Sequence, residues 1–148
     1  MRDPTPTAGW FEGGEHVLPV RVYFEDTDFS GVVYHGAYVR FFERGRSDAL
    51  RLMGVHHAEL AAAAEPVALT VTRMEVDFRR SARIDDALEV RSTYGALQGA
   101  RLAVRQRILR GEDLIAEAGV QAACIDIRTG RARRPPPVLI RAFRPLAE

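Results

Sequence analysis

The sequence predicts an α+β fold, in which one long helix covers one face of an antiparallel β-sheet. Apolar residues recur at helical spacing over residues 36–53, and strand-like segments separated by turn signals fill the chain from residue 67 onward. Residues 101–108 alternate between polar and apolar side chains, which is typical of a strand with one buried face. The long helix must cover that face.

Each predicted element has a local signal. The helix over 36–53 ends at Gly54, because glycine is the usual residue just past a helix C-terminus. Gly45 lies inside this helix, where glycine costs about 1 kcal/mol relative to alanine, so we expect close packing against another backbone there. The apolar stripe consists of Val39, Phe42, Ala49 and Met53, and the opposite flank consists of Arg40, Glu43, Arg44, Ser47 and Arg51. Five strands are predicted at 17–25, 67–78, 87–94, 101–110 and 114–127, with short helical turns at 57–65 and 138–143.

Length and composition predict a single domain. The chain has 148 residues, of which 47% are hydrophobic, enough for one ordinary core. Residues 1–15 contain prolines and glycines without periodicity, so we expect a poorly ordered lead-in before one domain at 16–148. No apolar run approaches the roughly 20 residues of a membrane span, and no signal peptide is recognisable, which predicts a cytoplasmic protein. Cys124 is the single cysteine and is expected to be a small buried apolar residue.

The charge pattern does not favour nucleic acid or an acidic membrane as a partner. All 21 basic residues are arginines, but the net charge is only +1. Residues 128–134 form a local basic cluster with four arginines. A solvated loop is the simplest interpretation of this cluster, and a partner-binding loop is the alternative.

The junction between the first strand and the helix carries the strongest functional signal. Glu25, Asp26 and Asp28 lie at the start of this junction, the predicted strand is interrupted at Gly31, and the predicted helix follows. Asp28 would lie beside the unpaired N–H groups of the helix start, which can stabilise a developing oxyanion. An Asp before such a break is also a common turn residue. His35 could orient Asp28 or a water molecule, or it could pack at the helix start; Glu25 and Asp26 are expected to be solvent-facing turn charges.

A second carboxylate lies farther along the helix. Glu43 precedes Ser47 by four residues, so the two side chains point the same way. Glu43 and Ser47 are interpreted as a pair that supports the reacting groups, or alternatively as a pair on the surface. Tyr34 is interpreted as a further supporting residue or as part of the core. Asp26, Asp28 and His35 lack a metal-typical His or Cys partner at helical spacing, so no metal site is predicted.

Four short segments resemble one enzyme family. They read D-T-D-x-x-G-V-V-Y-H at 26–35, F-F-E-R at 41–44, M-E-V-D-F at 74–78 and A-R-I-D-D at 82–86. In this order they resemble the hotdog-fold acyl-CoA thioesterases of the 4-hydroxybenzoyl-CoA thioesterase class. Within that class the chain resembles the YbgC group, which is associated with the Tol–Pal system. The resemblance covers about residues 19–135.

The resemblance implies a hotdog fold, a five-stranded antiparallel sheet wrapped around one long helix, and hydrolysis of an acyl thioester without a cofactor. Asp28 would act as nucleophile or general base, and the backbone N–H at or near His35 would donate to the oxyanion. Two other functions stay open. The chain could be a non-catalytic acyl-CoA or acyl-carrier-binding protein, or a dehydratase acting on acyl thioesters.

Partners follow from the same resemblance. Coenzyme A carries phosphates, so arginines are expected near the mouth of the site, and Arg79, Arg80 and Arg83 cluster where the resemblance places a subunit-edge strand. Solvated sheet-edge arginines are the alternative. Acyl-CoA is the expected substrate, with an acyl carrier protein as the other thiol carrier. Related proteins pair their sheets across a two-fold axis, so we expect a homo-oligomer, a dimer or a tetramer.

Overall fold

A computed structural model describes residues 9–144. One long helix packs on a six-stranded sheet in which every neighbouring pair of strands is antiparallel. The strand order is β1-β2-β4-β5-β6-β3. The strands are β1 (Trp10–Glu12), β2 (Glu15–Arg21), β3 (Val67–Phe78), β4 (Ala87–Tyr94), β5 (Arg101–Arg110) and β6 (Asp113–Asp126). The helices are α1 (His35–Leu52), α2 (His57–Ala62) and α3 (Pro137–Phe143), and Phe24–Asp26 form one 3-10 turn.

The sheet has one strand more than predicted. Trp10–Glu12 lie in the segment expected to be a poorly ordered lead-in, yet they pair with β2 through a turn at Gly13 and Gly14. A Gly-Gly pair is a hairpin signal, but a three-residue strand is too short to show alternation. Residues 1–8 lie outside the described part of the chain, and the single domain at 16–148 stays a prediction.

Most predicted boundaries agree with the structure. The helix over 36–53 begins at His35 and ends at Leu52, and the strands predicted at 67–78, 87–94 and 101–110 have those limits. The first strand ends four residues early, at Arg21, because residues 24–26 form the 3-10 turn instead. No helix in the described residues is long and apolar enough to cross a membrane.

The core lies between α1 and the inner face of the sheet. The buried helix residues are Ala37, Tyr38, Phe41, Phe42, Gly45, Ala49 and Leu50. Val39, which was placed in the apolar stripe, is instead 39% exposed, because the buried face is centred on Tyr38, Phe41 and Phe42. The strand β5 alternates as predicted, with Leu102, Val104, Gln106 and Ile108 buried. Cys124 is buried, as predicted.

A buried polar contact fixes the middle of α1 against the sheet. Gln106 Nε2 donates to the Phe42 carbonyl oxygen and to Ser92 Oγ, both at 2.9 Å, and Gln106 Oε1 accepts from Arg46 Nη1 at 2.9 Å. A Cβ atom at Gly45 would lie 2.8 Å from Val90 Cγ1. Close packing at Gly45 is therefore confirmed, but the predicted contact with another backbone is wrong, because the three nearest atoms belong to side chains of the sheet.

We expect Gly45→Val to lower the free energy of unfolding by about 3 kcal/mol, because overpacking forces either Val90 or α1 to move. Denaturant unfolding measures this change. The control is Gly119→Ala on β6, where an added Cβ meets no atom within 4 Å, and it should stay within about 0.5 kcal/mol of the native protein. Equal stability of both variants would show that α1 tolerates displacement at this point.

Candidate active site

The segment between β2 and α1 folds back on itself and is held mainly by backbone hydrogen bonds. Asp28 N donates to the Val32 carbonyl at 2.9 Å, and Gly31 N donates to the Asp28 carbonyl at 3.1 Å, which closes a turn over residues 28–31. Gly31 has a φ of 85°, a conformation that favours glycine. Val33 N then donates to the Ala82 carbonyl at 2.8 Å, so the segment is fastened to the loop after β3 just before α1 begins.

Asp28 lies exposed on this turn. Its Oδ1 accepts from the Ser30 hydroxyl at 2.5 Å and from Ser30 N at 2.8 Å. These two donors, the hydroxyl first, lower the pKa of the Asp28 carboxyl below its ordinary value, because both stabilise the ionised form. The Val32 N–H also lowers this pKa, although within residues 9–144 the hydrogen bonds that reach the carboxylate at 3.5 Å or less are the two from Ser30, both to Oδ1. The turn therefore holds one carboxylate oxygen and leaves the other available to a ligand.

The first turn of α1 presents unpaired N–H groups. Tyr34 is the N-cap residue and provides no side-chain cap. Ala37 N donates to the Tyr34 carbonyl at 2.8 Å, whereas the N–H groups of His35 and Gly36 have no acceptor among the described residues. Such groups carry partial positive charge and suit an anionic ligand. The helix start thus has the donors that an oxyanion requires.

Aromatic rings surround this helix start. The exposed Tyr34 ring lies against the His35 ring, with centroids 4.4 Å apart and planes tilted by 51°, and the His35 ring meets the Phe78 ring edge-on at 6.4 Å between centroids. Tyr38 also contacts Phe78, at 5.7 Å. Phe78 ends β3, the outermost strand on its side of the sheet, and is 50% exposed. The candidate site therefore opens at an edge of the sheet. Phe78 is not among the site residues predicted from the sequence, although it lies in the M-E-V-D-F segment.

The second carboxylate lines a different surface. Glu43 Oε1 accepts from Ser47 Oγ at 2.5 Å, so the two side chains do point the same way. Both line a cleft of about 950 Å³ between α1, β2 and the start of α2, together with Arg44 and Asp48. Asp28, Tyr34 and His35 do not line this cleft. The structure therefore divides the predicted site residues into two groups, one at the helix start and one farther along the helix.

Two of the three predicted phosphate-binding arginines are already paired. Arg79 Nη2 lies 2.7 Å from Glu117 Oε1, and Arg80 Nη1 lies 3.6 Å from Asp113 Oδ1. Arg83 has no ion pair within residues 9–144 and forms a backbone bridge with Val32, beside the Asp28 turn. All three lie just after β3, at the end of the sheet where α1 begins. Arg83 is the one of the three without an ion pair in the described residues.

Asp26 is not the solvent-facing charge that the sequence suggested. It is buried, at 7% exposure, and its Oδ2 accepts from Tyr23 N at 2.8 Å. The carbonyl of Asp26 also accepts from Tyr34 N at 2.9 Å. Asp26 therefore stabilises the turn and the approach to α1, whereas Glu25 is exposed as expected. Within the described residues, no group of three or more His, Cys, Asp or Glu side chains is placed to hold a metal ion.

The chain is similar to known thioesterases in sequence and structure. Residues 22–143 match the thioesterase-like superfamily. The chain is 41% identical over 127 residues to the acyl-CoA thioester hydrolase YbgC of Escherichia coli O157:H7, covering 85% of this chain and 93% of that protein. It is 38% identical over 110 residues to the acyl-CoA thioesterase YbgC of Haemophilus influenzae, covering 74% and 80% respectively.

The chain is also similar to thioesterases among the solved structures. A probable thioesterase from Bartonella henselae superimposes with a TM-score of 0.78 at 44% identity, covering 82% of this chain and 99% of that one. A 1,4-dihydroxy-2-naphthoyl-CoA thioesterase from Synechocystis superimposes with a TM-score of 0.81, covering 88% and 96%. The second structure is only 23% identical, so it bears on the fold alone.

We expect Tyr38→Phe to lower the free energy of unfolding by about 1–3 kcal/mol, because it leaves a buried N–H group without an acceptor. The Tyr38 hydroxyl accepts from Ala82 N at 3.0 Å and ties the loop after β3 to α1. Thermal or denaturant unfolding measures the loss. Tyr34→Phe is the control, since Tyr34 is 46% exposed, and it should change stability by less than about 0.5 kcal/mol. Equal effects would contradict the role of this hydrogen bond.

Proposed function

The chain belongs to the thioesterase-like superfamily, and from this premise we propose that it is an enzyme that hydrolyses acyl-CoA thioesters to free acid and coenzyme A. One observation carries the reaction class: the 41% identity to an acyl-CoA thioester hydrolase spans 93% of that protein. The hotdog fold expected from the sequence is confirmed, with six strands in place of five.

Asp28 is the reacting carboxylate in this proposal. The carboxyl is ionised at neutral pH, as an aspartate at its ordinary pKa is too, and the two hydrogen bonds from Ser30 both go to Oδ1. As nucleophile, it would attack the thioester carbon and expel the thiolate, and water would then cleave the resulting anhydride. As general base, it would take a proton from the attacking water. Either role needs only one carboxylate, because a thiolate is a good leaving group.

The N–H groups of His35 and Gly36 are the proposed oxyanion donors. They are the unpaired groups of the α1 start, and the helix dipole adds to their positive potential. Removing one such donor typically costs about 10²–10³ in rate, so this contribution is comparable with that of a positioned base. The His35 ring, held between Tyr34 and Phe78, borders the same space.

Glu43 is the second candidate carboxylate. The observation that favours it is the 2.5 Å hydrogen bond from Ser47, which holds Glu43 on the wall of the 950 Å³ cleft. In the primary proposal this pair supports α1 and does not react. If Asp28 is the reacting carboxylate, Asp28→Asn should abolish thioester cleavage and Glu43→Gln should not. If Glu43 is the reacting carboxylate, the opposite result is expected.

A second copy of the chain is part of the proposal. The β3 strand is twelve residues long and lies at an open edge, where Val71 and Phe78 are 44% and 50% exposed. An exposed edge of this length invites pairing with another strand. We therefore expect a dimer that joins two β3 strands, or a tetramer built from such dimers.

Three statements stay predictions: a cytoplasmic location, an acyl carrier protein as the other thiol carrier, and a role associated with the Tol–Pal system.

Asp28→Asn should reduce thiol release from acyl-CoA by at least about 10²-fold, because the amide can neither attack nor accept the proton. Release is measured on short, medium, long and aromatic acyl-CoAs, with folding checked by unfolding curves. Glu43→Gln is the matched control and should retain most of the rate. If Glu43→Gln alone abolishes release, Glu43 is the reacting group.

If no acyl-CoA is cleaved while binding persists, the chain is a binding protein; conversion between hydroxyacyl and enoyl thioesters would indicate a dehydratase.

The pH profile offers a separate test of Asp28. The ionised carboxylate is the active form, so kcat/KM should fall only when pH drops below the lowered pKa, which lies under the ordinary value of 3.8. Ser30→Ala removes the hydroxyl that contributes most to this lowering, so its acid limb should move to higher pH. Thr27→Val, on the same segment, is the control and should leave the limb unchanged. An unmoved limb in Ser30→Ala would assign the profile to another group.

A further inference from the structure

The loop between β3 and β4 contacts both the segment after Asp28 and the helix α1. It covers residues 79–86 and crosses the ends of β5 and β6, because these two strands lie between β3 and β4 in the sheet. The Ala82 carbonyl accepts from Val33 N at 2.8 Å, and Ala82 N donates to the Tyr38 hydroxyl of α1 at 3.0 Å. The 79–86 loop is therefore bonded to both parts of the candidate site.

The connection from this loop to Asp28 is short. Arg83 and Val32 form a backbone bridge, and the Val32 carbonyl accepts from Asp28 N at 2.9 Å. Val33, which the loop also bonds, lies two residues before His35 and its unpaired N–H. The same two valines thus join the Asp28 turn to the start of α1. A shift of the loop would move the carboxylate relative to the proposed oxyanion donors.

Arg110 bonds two points of the loop to the end of the sheet. It is the last residue of β5. Its Nη1 donates to the Ser81 carbonyl at 3.2 Å and to Asp86 Oδ2 at 2.9 Å. Asp86 Oδ2 also accepts from Arg83 N at 2.9 Å. One guanidinium group therefore holds the loop on both sides of the two residues that bond the segment after Asp28.

The backbone at Asp85 shows why this loop needs support. Asp85 has a φ of 69°, a left-handed conformation that residues with a side chain adopt rarely. Asp85 N donates to the Val22 carbonyl at 2.9 Å, and Asp86 N donates to the Arg83 carbonyl at 3.1 Å. Such a conformation persists where neighbouring contacts hold it. The contact between Arg110 and Asp86 lies directly beside it.

The ion pair of Arg110 and Asp86 is more shielded from water than its neighbours. The two side chains are 34% and 25% exposed, whereas those of Arg79 and Glu117 are 53% and 37% exposed. Exposed ion pairs contribute little to stability, and charge-assisted hydrogen bonds are stronger than neutral ones. Arg110 Nη2 also lies 3.8 Å from Asp113 Oδ2 across the β5–β6 hairpin. The guanidinium group is thus held by the sheet as well as by the loop.

We propose that Arg110 is a positioning residue for the reaction at Asp28. It holds the 79–86 loop, and through this loop Val32 and Val33, so that the Asp28 carboxylate and the N–H of His35 keep the spacing that hydrolysis requires. The inference rests on the proposed function, since that function assigns the reaction to Asp28. Arg110 acts through the loop and not on the thioester.

The kinetic test compares Arg110→Gln with the native protein in the thiol-release assay. We expect kcat to fall about ten- to a hundredfold, because a displacement of about 1 Å in reacting groups costs up to about 10²-fold in rate. KM should change by less than about threefold, because the surfaces that bind substrate are unchanged. Arg107→Gln is the matched control. Arg107 lies on the same strand and pairs with Glu15 of β2 at 2.9 Å, so this variant should keep the native kcat.

A conservative variant tests the charged contact itself. Arg110→Lys keeps a positively charged donor nitrogen in place of Nη1, the atom that makes both loop contacts. It should therefore lose less kcat than Arg110→Gln, and unfolding curves check that both variants are folded. A lower kcat in Arg110→Lys than in Arg110→Gln would contradict the role of this contact.

The Asp28→Asn background shows whether Arg110 acts through Asp28. Adding Arg110→Gln to Asp28→Asn should lower the residual rate by less than about twofold, because groups that act as a unit are not additive. If the two losses multiply, Arg110 acts on something other than the placement of Asp28, and the inference is wrong. Equal kcat in Arg110→Gln and native protein, or a loss confined to KM, would overturn it as well.

Amide hydrogen exchange tests the placement without turnover. The exchange rates of Asp28 N–H and Val33 N–H should rise about tenfold in Arg110→Gln and stay unchanged in Arg107→Gln, because the loop holds the segment in which both amides are bonded. Equal rates in Arg110→Gln and native protein would show that Arg110 does not hold this segment. Faster exchange with an unchanged kcat would also overturn the inference.

Failure of the proposed function is seen separately. If the native protein releases no thiol from any acyl-CoA, the proposed function fails and the positioning role fails with it. If the native protein cleaves acyl-CoA and only the predictions for Arg110→Gln fail, the proposed function stands and the inference about Arg110 is wrong.

Discussion

The close approach of α1 to the sheet at Gly45 is the constraint on which the candidate site depends. The space there is too small for a Cβ atom, and Gln106 bonds the Phe42 carbonyl from the sheet side. These contacts fix the depth of the helix. Because a helix is nearly rigid, fixing its middle also sets the position of its first turn and of the exposed flank that carries Glu43. A helix held farther from the sheet would move both groups together.

The turn over 28–31 combines two roles that the sequence presented as alternatives. Asp28 is a turn residue, since Oδ1 accepts both donors of Ser30. The same contacts lower its pKa and do not engage Oδ2. Asp28 can therefore form the turn with one oxygen while the other stays exposed to a ligand. A turn-forming role and a reactive role for Asp28 do not exclude each other, because Oδ1 forms the turn and Oδ2 would be the reacting oxygen.

Regular elements were predictable because their signals are local. The alternation of β5 and the length of α1 can be read from neighbours in sequence, and the predicted limits differ from the observed ones by at most a residue. Asp26 was misassigned because its burial depends on Tyr23 and Tyr34, whose positions depend on the fold. The prediction for Val39 was wrong because this residue lies at the flank of the apolar face, and how far such a flank is covered depends on the elements packed against it.

The sequence by itself determined the fold class, the family and the residue types at the junction before α1, because these depend on local patterning and on ordered short motifs. Only the tertiary structure decided which groups are available for binding. It placed acids of β6 beside Arg79 and Arg80, put Glu43 on a cleft that Asp28 does not line, and placed Phe78 of the edge strand against His35. The residues that contact Arg79, Arg80 and His35 are distant from them in sequence. The order of charges along a chain therefore does not reveal which opposite charges lie close together in space.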